Sequence, residues 1–274
     1  MPPLFFCRPD VSVLRSCCHM RELNNVRTLS EAGDACFLLL ITNEGKHRMR
    51  RINIAIDGPA GAGKSTVARM TADRLGFNYV DTGAMYRAVT WAVLQERVSL
   101  DDVQAIVQIA KQISITLETN GAGTAVYVNG QNVTEVIRSQ EVTANVSAVA
   151  GIADVRKILV YKQRQMAQSG GVVMDGRDIG TKVLQNAALK IFLTASIEER
   201  AKRRFAEMRE KGIEVTLDTL EQEIAIRDKR DRERVESPLV KAKDAIEIDT
   251  TKLSLNDVVA KILRLARTHM CCLE

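Results

Sequence analysis

Residues 58–65 read Gly58-Pro59-Ala60-Gly61-Ala62-Gly63-Lys64-Ser65. They lie between a β-branched run that contains Ile52, Ile54 and Ile56 and a stretch with helical spacing over 65–75. A glycine-rich loop between a strand and a helix lets consecutive backbone N–H groups turn inward around phosphate oxygens, and the helix N-terminus adds a partial positive charge. This motif in this context predicts a site for a nucleoside triphosphate.

Two side chains of the loop and one from a later strand have predicted roles at the phosphates. Lys64 is expected to bridge the terminal phosphates, and the Ser65 hydroxyl to coordinate Mg²⁺. Asp175 ends an apolar strand opposite the loop, where a carboxylate can orient the water molecules of Mg²⁺. We therefore expect ATP as phosphoryl donor and Mg²⁺ as cofactor. The residues expected to hold the donor are Gly58, Pro59, Ala60, Gly61, Ala62, Gly63, Lys64, Ser65 and Thr66.

The rest of the chain predicts an α/β fold. Short apolar strands alternate with helical stretches, which is typical of a parallel sheet flanked by helices. Residues 113–133 instead alternate apolar and polar side chains and contain the turn signals Asn120-Gly121 and Asn129-Gly130, which predicts a small antiparallel β insertion. The main sheet is expected to have five parallel strands, at 52–56, 77–80, 172–175, 189–193 and 245–248.

Histidine and cysteine are confined to the two ends of the chain. The cysteines lie at positions 7, 17, 18, 36, 271 and 272, and the histidines at 19, 47 and 269. The interval 50–268 therefore has no Ser-His or Cys-His nucleophile pair and no imidazole or thiolate ligand for a metal. Its chemistry must use Lys, Arg, Asp, hydroxyl groups and backbone amides. We interpret the cysteines, which lack C-x-x-C spacing, as reduced thiols of a cytoplasmic protein.

Other classes of nucleotide-binding protein fit less well. A GTPase needs a base-reading Asn-Lys-x-Asp element, and no Asn-Lys dipeptide occurs in the sequence. A remodelling ATPase usually has an acidic residue directly after the strand Asp, whereas Gly176 follows Asp175. The net charge of +5 allows an RNA-binding protein, but aromatic residues make up only 4% and form no stacking platform. The open alternative is a P-loop kinase for another nucleoside monophosphate or a small-molecule acceptor.

Three further motifs narrow the choice of acceptor. They are Asp81-Thr-Gly-Ala-Met-Tyr-Arg87, Asp175-Gly-Arg-Asp178 and Arg227-Asp-Lys-Arg-Asp-Arg-Glu-Arg-Val-Glu-Ser-Pro-Leu239. With the glycine-rich loop, and in this order, they resemble bacterial-type cytidylate kinase, a P-loop nucleoside monophosphate kinase. The similarity covers residues 52–267. It implies a P-loop kinase fold, ATP-dependent phosphorylation of CMP and dCMP to CDP and dCDP, and a place in pyrimidine nucleotide metabolism.

The resemblance also implies roles for individual residues. Those expected around the acceptor phosphate, which guanidinium groups can grip bidentately, are Thr82, Tyr86, Arg87, Arg177 and Arg234. The cytosine edge is expected at Ser147, Arg156 and Asp178, where a carboxylate facing the exocyclic amino group disfavours uracil. The sugar hydroxyls are expected at Arg227 and Asp231. Thr82 stands where Ser is at least as common in the family, and it keeps the hydroxyl.

The expected reaction is in-line phosphoryl transfer assisted by Mg²⁺. The attacking phosphate oxygen of CMP is already ionised near neutral pH, so no general base is needed. The protein's part is positioning and charge stabilisation, and a mobile lid over about 198–214 is expected to exclude water. The residues expected to act on the transferred group are Lys64, Arg177, Arg203 and Arg234.

The sequence predicts one kinase domain with flanking segments. Residues 1–48 have no sustained helical or strand period and are expected to be a disordered extension. The kinase domain is expected over 49–268, with a core (50–98 and 170–268), an acceptor-binding insertion (about 99–169) and a tail over 269–274. The longest apolar run, 35–41, is far shorter than the ~20 residues that span a bilayer. We expect a cytoplasmic monomer that binds neither membranes nor nucleic acid.

Overall fold

A computed structural model of the chain describes residues 51–120, 123–210 and 212–271. Residues Arg51–Met270 form one compact unit. The predicted extension 1–48 lies outside the described residues, as do residues 272–274 of the predicted tail, so both stay predictions. Residues 269–271 of that tail continue the last helix.

The described residues form strands and helices that follow the predicted order. The strands are β1 (Asn53–Asp57), β2 (Asn78–Asp81), β3 (Ile115–Asn120), β4 (Gly123–Val128), β5 (Gln131–Asn132), β6 (Val172–Gly176), β7 (Leu189–Thr194) and β8 (Ile246–Asp249). The helices are α1 (Lys64–Leu75), α2 (Thr82–Gln95), α3 (Val103–Gln112), α4 (Gln140–Val149), α5 (Ala153–Met166), α6 (Ile197–Glu210), α7 (Leu217–Glu233) and α8 (Leu255–Cys271). A 3₁₀ turn spans Val136–Arg138, and a π-helical turn spans Ile179–Val183.

The predicted five-stranded sheet is confirmed. Its strand order is β2-β6-β1-β7-β8, and every neighbouring pair is parallel. Each strand matches its predicted range to within one residue at either end. The agreement arises because the strands are buried on both faces and therefore appear in the sequence as short continuous apolar runs.

Helices cover both faces of this sheet, which is why β1 alternates between two cores. Ile54 and Ile56 pack with Val67 of α1 and Ile262 of α8. Ala55 points to the opposite face and joins a second core built with residues of α2, α3, α4 and α5. None of the described helices is long and apolar enough to cross a lipid bilayer.

The predicted antiparallel insertion is also confirmed, as a three-stranded sheet in the order β3-β4-β5. Ile115 pairs with Val128, and the register continues to the end of β3. Asn129 and Gly130 form the two-residue turn into β5 with φ of 51° and 83°, the left-handed values that an Asn-Gly hairpin turn requires. Of the other predicted turn, residues 121–122 lie outside the part of the chain that the structure describes.

Helices α6 and α7 pack against each other through a small core of their own. It consists of Ala201, Leu220 and Ile224, with Phe205 and Val215 at its edge. Helix α6 covers most of the predicted lid range. At the start of α8, Ser254 Oγ donates to Asp257 Oδ2 at 2.6 Å and accepts the Asp257 N–H at 3.2 Å, so the Ser254 side chain caps the helix N-terminus.

Gly58, where β1 enters the phosphate loop, has a backbone that only glycine tolerates. Its φ is +147°, and a Cβ there would lie 2.0 Å from the carbonyl oxygen of Leu193.

We expect Gly58→Ala to lower the free energy of unfolding by about 3 kcal/mol or more, because the strand end must move. Gly76→Ala is the matched control: Gly76 also has positive φ (+64°) but nothing within 4 Å, so only about 1 kcal/mol is expected. Urea unfolding measures both, and equal losses would contradict the steric argument.

Candidate functional site

The phosphate loop connects β1 to α1 as the motif predicts. Gly61 and Gly63 have φ of +77° and +82°, and Gly63 caps α1 without any side-chain hydrogen bond. The first N–H groups of α1 therefore have no side-chain cap, which suits an anion at this helix end. Lys64 lies across the loop and donates to the carbonyl of Pro59 at 2.6 Å. Burial, and then the nearby charge of Arg177, lower the pKa of Lys64 well below its ordinary value.

Next to the loop, a hydroxyl and a carboxylate meet. Ser65 Oγ donates to Asp175 Oδ2 at 2.9 Å. The Tyr79 hydroxyl donates to Asp175 Oδ1, also at 2.9 Å. Burial, with a further contribution from the Asp81 carboxylate, raises the pKa of Asp175 to about 7. Mg²⁺ prefers oxygen ligands and is usually held by one or two protein groups together with substrate phosphates and water, so the Ser65–Asp175 pair fits it.

Arginine side chains of four different elements converge on the opposite wall of the cleft. They are Arg87, Arg177, Arg204 and Arg227. After burial itself, the charges of Arg177 and Arg204 lower the pKa values of Arg87 and Arg227, and those of Arg177 and Arg227 lower that of Lys64. The pKa of Arg227 falls to about 10, mainly through burial and then through Arg177, and its buried Nε has no hydrogen-bond partner among the described residues. Such a concentration of like charge is costly without an anion, so this wall is suited to a phosphate.

Asp231 is the acidic centre of this wall. It is 1% exposed and accepts from Arg177 Nε at 2.8 Å and from Arg234 Nη2 at 2.5 Å. Burial opposes its ionisation, but the two arginines hold the pKa of Asp231 below the ordinary value. Both carboxylate oxygens of this predicted sugar ligand are thus bound to predicted phosphate ligands. A sugar hydroxyl would have to share them.

Two of the three residues predicted to read the base are in contact. Arg156 and Asp178 form a buried ion pair, and Arg156 also donates to the Ala150 carbonyl at 3.1 Å. The guanidinium lies 5.3 Å from the centre of the Tyr86 ring, and the buried Tyr86 hydroxyl has no partner among the described residues. Burial raises the pKa of Tyr86 to about 12. Ser147 lines the cleft that contains the phosphate loop.

Besides Arg177 and Arg234, two further predicted phosphate ligands have protein partners in this structure. Thr82 Oγ1 donates to the backbone carbonyl of Asp175 at 2.6 Å. Arg87 donates to the Ile137 carbonyl at 3.1 Å and to Thr143 Oγ1 at 2.8 Å. Thr82 therefore joins α2 to the end of β6, and its predicted contact with phosphate stays a prediction.

Arg203 lies on the donor side of the cleft, away from the arginine wall. It donates to Glu199 at 3.0 Å and to the backbone carbonyl of Thr250 at 2.8 Å, and its Nη1 is 3.9 Å from where a Cβ of Gly63 would stand. Its predicted contact with the transferred group remains untested.

Sequence reasoning missed four residues of this region. Tyr79 was assigned only to a strand, Asp57 had no role, and Arg200 and Arg204 lay within the predicted lid without roles of their own. Arg200 is in fact 2% exposed. The one available signal was the strand-end position of Asp57, because side chains at the carboxyl ends of parallel strands converge on one edge.

Asp57 connects the phosphate loop to the turn that follows Asp178. Its two carboxylate oxygens accept the N–H groups of Ile179 and Gly180, each at 2.8 Å. Burial raises the pKa of Asp57 to about 6; the charge of Asp178 adds to this effect, while the two N–H groups and Lys64 oppose it.

The assembled cleft has a volume of about 1280 Å³, with the phosphate loop at one end and the arginine wall facing it. A parallel sheet with a triphosphate loop, a hydroxyl–carboxylate pair and a second anion site defines a P-loop phosphotransferase. Comparison with known proteins identifies the family within this class. The chain belongs to the cytidylate kinase family, whose model, described as "Cytidylate kinase", matches residues 54–268.

Curated bacterial relatives are similar over nearly their whole length. Cytidylate kinase of Geobacillus sp. (strain WCH70) is 57% identical over 219 residues, which is 80% of this chain and 98% of the relative. Cytidylate kinase of Lysinibacillus sphaericus is 52% identical over 221 residues, covering 81% and 99%. That of Bacillus subtilis is 55% identical over 214 residues, covering 78% and 96%.

The raised pKa of Asp57 predicts a pH-dependent stability. A carboxyl whose pKa is higher in the folded state contributes stability below its unfolded-state value of 3.8, and this contribution is lost as the pH rises through about 6. We expect wild-type protein, relative to Asp57→Asn, to lose up to about 3 kcal/mol of unfolding free energy between pH 4 and pH 7. Urea unfolding of both proteins across this range measures it. A difference that is constant or grows with pH would contradict the assignment.

Proposed function

We propose that the chain catalyses transfer of the terminal phosphoryl group of ATP to CMP and dCMP, giving CDP or dCDP and ADP. The observation that carries this proposal is the pair of cationic sites in one cleft, with the buried Arg156–Asp178 pair beside the second. Two phosphate-binding ends suit two phosphorylated ligands. Membership of the cytidylate kinase family supports the choice of cytidine nucleotides as acceptors.

The donor end of the cleft is proposed to hold ATP through the loop residues 58–66. Lys64 would place its charge between the two terminal phosphates, and the uncapped N–H groups of α1 would bind their oxygens. Ser65 would hold Mg²⁺ directly and Asp175 would hold it through water. When bound there, Mg²⁺ would neutralise part of the negative charge of the donor phosphates.

The acceptor end is proposed to hold the nucleoside monophosphate. The ligands proposed for its phosphate are Thr82, Tyr86, Arg87, Arg177 and Arg234. Arg227 and Asp231 are proposed for the sugar hydroxyls, and Ser147, Arg156 and Asp178 for cytosine. Arg156 already directs the Asp178 carboxylate, which suits a fixed acceptor for the exocyclic amino group of cytosine; a uracil carbonyl at that position would face the same carboxylate and be repelled.

Catalysis in this proposal is positioning and charge stabilisation. The phosphate of CMP is the nucleophile and is ionised near neutral pH, so no residue has to remove a proton. Lys64, Arg177, Arg203 and Arg234 would neutralise the charge that spreads over the transferred group. The segment at about 198–214, proposed as the lid, would close over the cleft and exclude water as a competing acceptor.

The same proposal covers the setting of the enzyme. We propose a kinase domain over 49–268 with its acceptor-binding insertion at about 99–169, acting as a cytoplasmic monomer on small nucleotides. Nucleic acids and membranes are not proposed as partners.

An acceptor panel tests the proposal directly. With MgATP, ADP release is measured for CMP, dCMP, UMP, AMP, GMP and no acceptor. We expect CMP and dCMP to dominate, and Lys64→Ala to lower turnover at least about 100-fold because a buried transition-state charge is removed. Lys157→Ala, at an exposed lysine paired with Asp154, is the matched control and is expected to retain activity. Another dominant nucleotide would overturn the acceptor assignment, and full turnover by Lys64→Ala would overturn the phosphate-loop mechanism.

Asp178 is the residue on which base selection depends in this proposal. We expect Asp178→Asn to lower kcat/KM for CMP by about 10- to 100-fold while leaving UMP nearly unchanged, because an amide can face either base edge. The readout is the ratio of kcat/KM for CMP to that for UMP, which a general loss of stability does not alter. Asp154→Asn, at an exposed position two residues before Arg156 on α5, is the control. An unchanged ratio in Asp178→Asn would remove this residue from base recognition.

A further inference from the structure

Arg200 uses its whole guanidinium group inside the protein. It is 2% exposed. Nε donates to the Ala195 carbonyl at 3.0 Å, and Nη1 to the Ala60 carbonyl at 3.0 Å. Nη1 and Nη2 also bind the two oxygens of Asp228 at 3.1 and 2.7 Å. The result is a buried bidentate ion pair attached at two further points to the backbone.

The partners of Arg200 belong to three separate parts of the site. Ala60 lies in the phosphate loop, Ala195 lies between β7 and α6, and Asp228 is on α7. Gly61 packs directly on the same side chain, because a Cβ at Gly61 would stand 3.2 Å from the Cβ of Arg200. The loop and α7 are therefore held at one separation by a single side chain.

The location of Asp228 on α7 gives this separation a functional meaning. Asp228 directly follows Arg227 and comes three residues, less than one helical turn, before Asp231. Arg227 and Asp231 carry the proposed acceptor contacts, and Asp231 in turn binds Arg177 and Arg234. Fixing Asp228 sets the position of α7 along its axis and its rotation about that axis. The position of the Arg227 and Asp231 side chains in the arginine wall follows from both.

We infer that Arg200, through Asp228, is a positioning residue that sets the distance between the phosphate loop and the acceptor-binding groups on α7. The inference rests on the proposed function. Neither residue contacts a reacting atom. Phosphoryl transfer in line needs donor and acceptor groups aligned to within about 1 Å, and misplacement by that amount costs about 100-fold in rate.

A stabilising role alone does not explain the pair. Apolar residues of similar size usually replace a buried ion pair without loss of stability, because they avoid the cost of desolvating two charges. An arginine, however, can bind a carboxylate and two carbonyl oxygens in one planar geometry. The charged pair therefore fixes both the distances and the relative orientation of the phosphate loop, the β7–α6 connection and α7, which an apolar pair would not do.

The test separates positioning from stability with Arg200→Met/Asp228→Leu. The readouts are the unfolding midpoint, the KM values for ATP and the acceptor, and kcat. We expect a small fall of the midpoint, because the Ala60 and Ala195 carbonyls lose a donor while the cost of desolvating two charges is avoided. KM values are expected within about threefold because each half of the site keeps its own ligands, and kcat about 100-fold lower. Phe205→Leu, which trims the α6–α7 core next to the pair, is the control and is expected to lose stability but to keep kcat.

Arg200→Lys covers the case in which the double variant does not fold. Lys keeps the charge but not the bidentate geometry, so we expect an intermediate loss of kcat, about tenfold. A kcat within threefold of the wild type in either folded variant, or a loss confined to KM, overturns the inference. Absence of CMP turnover in the wild type instead overturns the proposed function. The separate effects on kcat and KM are then measured with the acceptor that the panel identifies.

Discussion

The parallel register between β1 and β6 is the constraint on which the rest of the site depends. It places Asp57 opposite Gly176 and Ile56 opposite Asp175, so the phosphate loop and the Gly176-Arg177-Asp178 segment leave the sheet side by side. On the other side of β6, Asp81 lies opposite Asp175 and leads into α2. Three motifs far apart in sequence thus meet at the carboxyl edge of the sheet, where open parallel sheets bind their ligands.

This convergence has an electrostatic cost. Burial and mutual repulsion lower the pKa values of Lys64, Arg87 and Arg227, which means that their charged forms are less favourable here than in water. A fold optimised only for stability would not gather these groups in one cleft. Bound phosphates would neutralise them, so the proposed ligands should stabilise the folded protein by more than their direct contacts suggest.

The sequence was sufficient to predict the fold, but not the contacts that connect the parts of the site. Buried β-branched runs such as Ile52-Asn53-Ile54 and the strand–loop–helix motif are local patterns, and local patterns can be read without coordinates. The Asp57 contacts with Ile179 and Gly180 span more than 120 positions, and the bond from Arg200 to Ala60 spans 140. Nothing in composition or periodicity marks such pairs, because only the tertiary fold brings them together.

Three of the four arginines of α6, Arg200, Arg203 and Arg204, show how far position along one helix can decide the environment of identical side chains. Arg200, in the first turn, is buried against the phosphate loop. Arg203 donates to the carbonyl of Thr250, which lies in the connection between β8 and α8. Arg204, one helical turn after Arg200, contributes positive charge to the arginine wall. Because the first turn of α6 is attached to both the phosphate loop and α7, a lid over about 198–214 must move about that attachment.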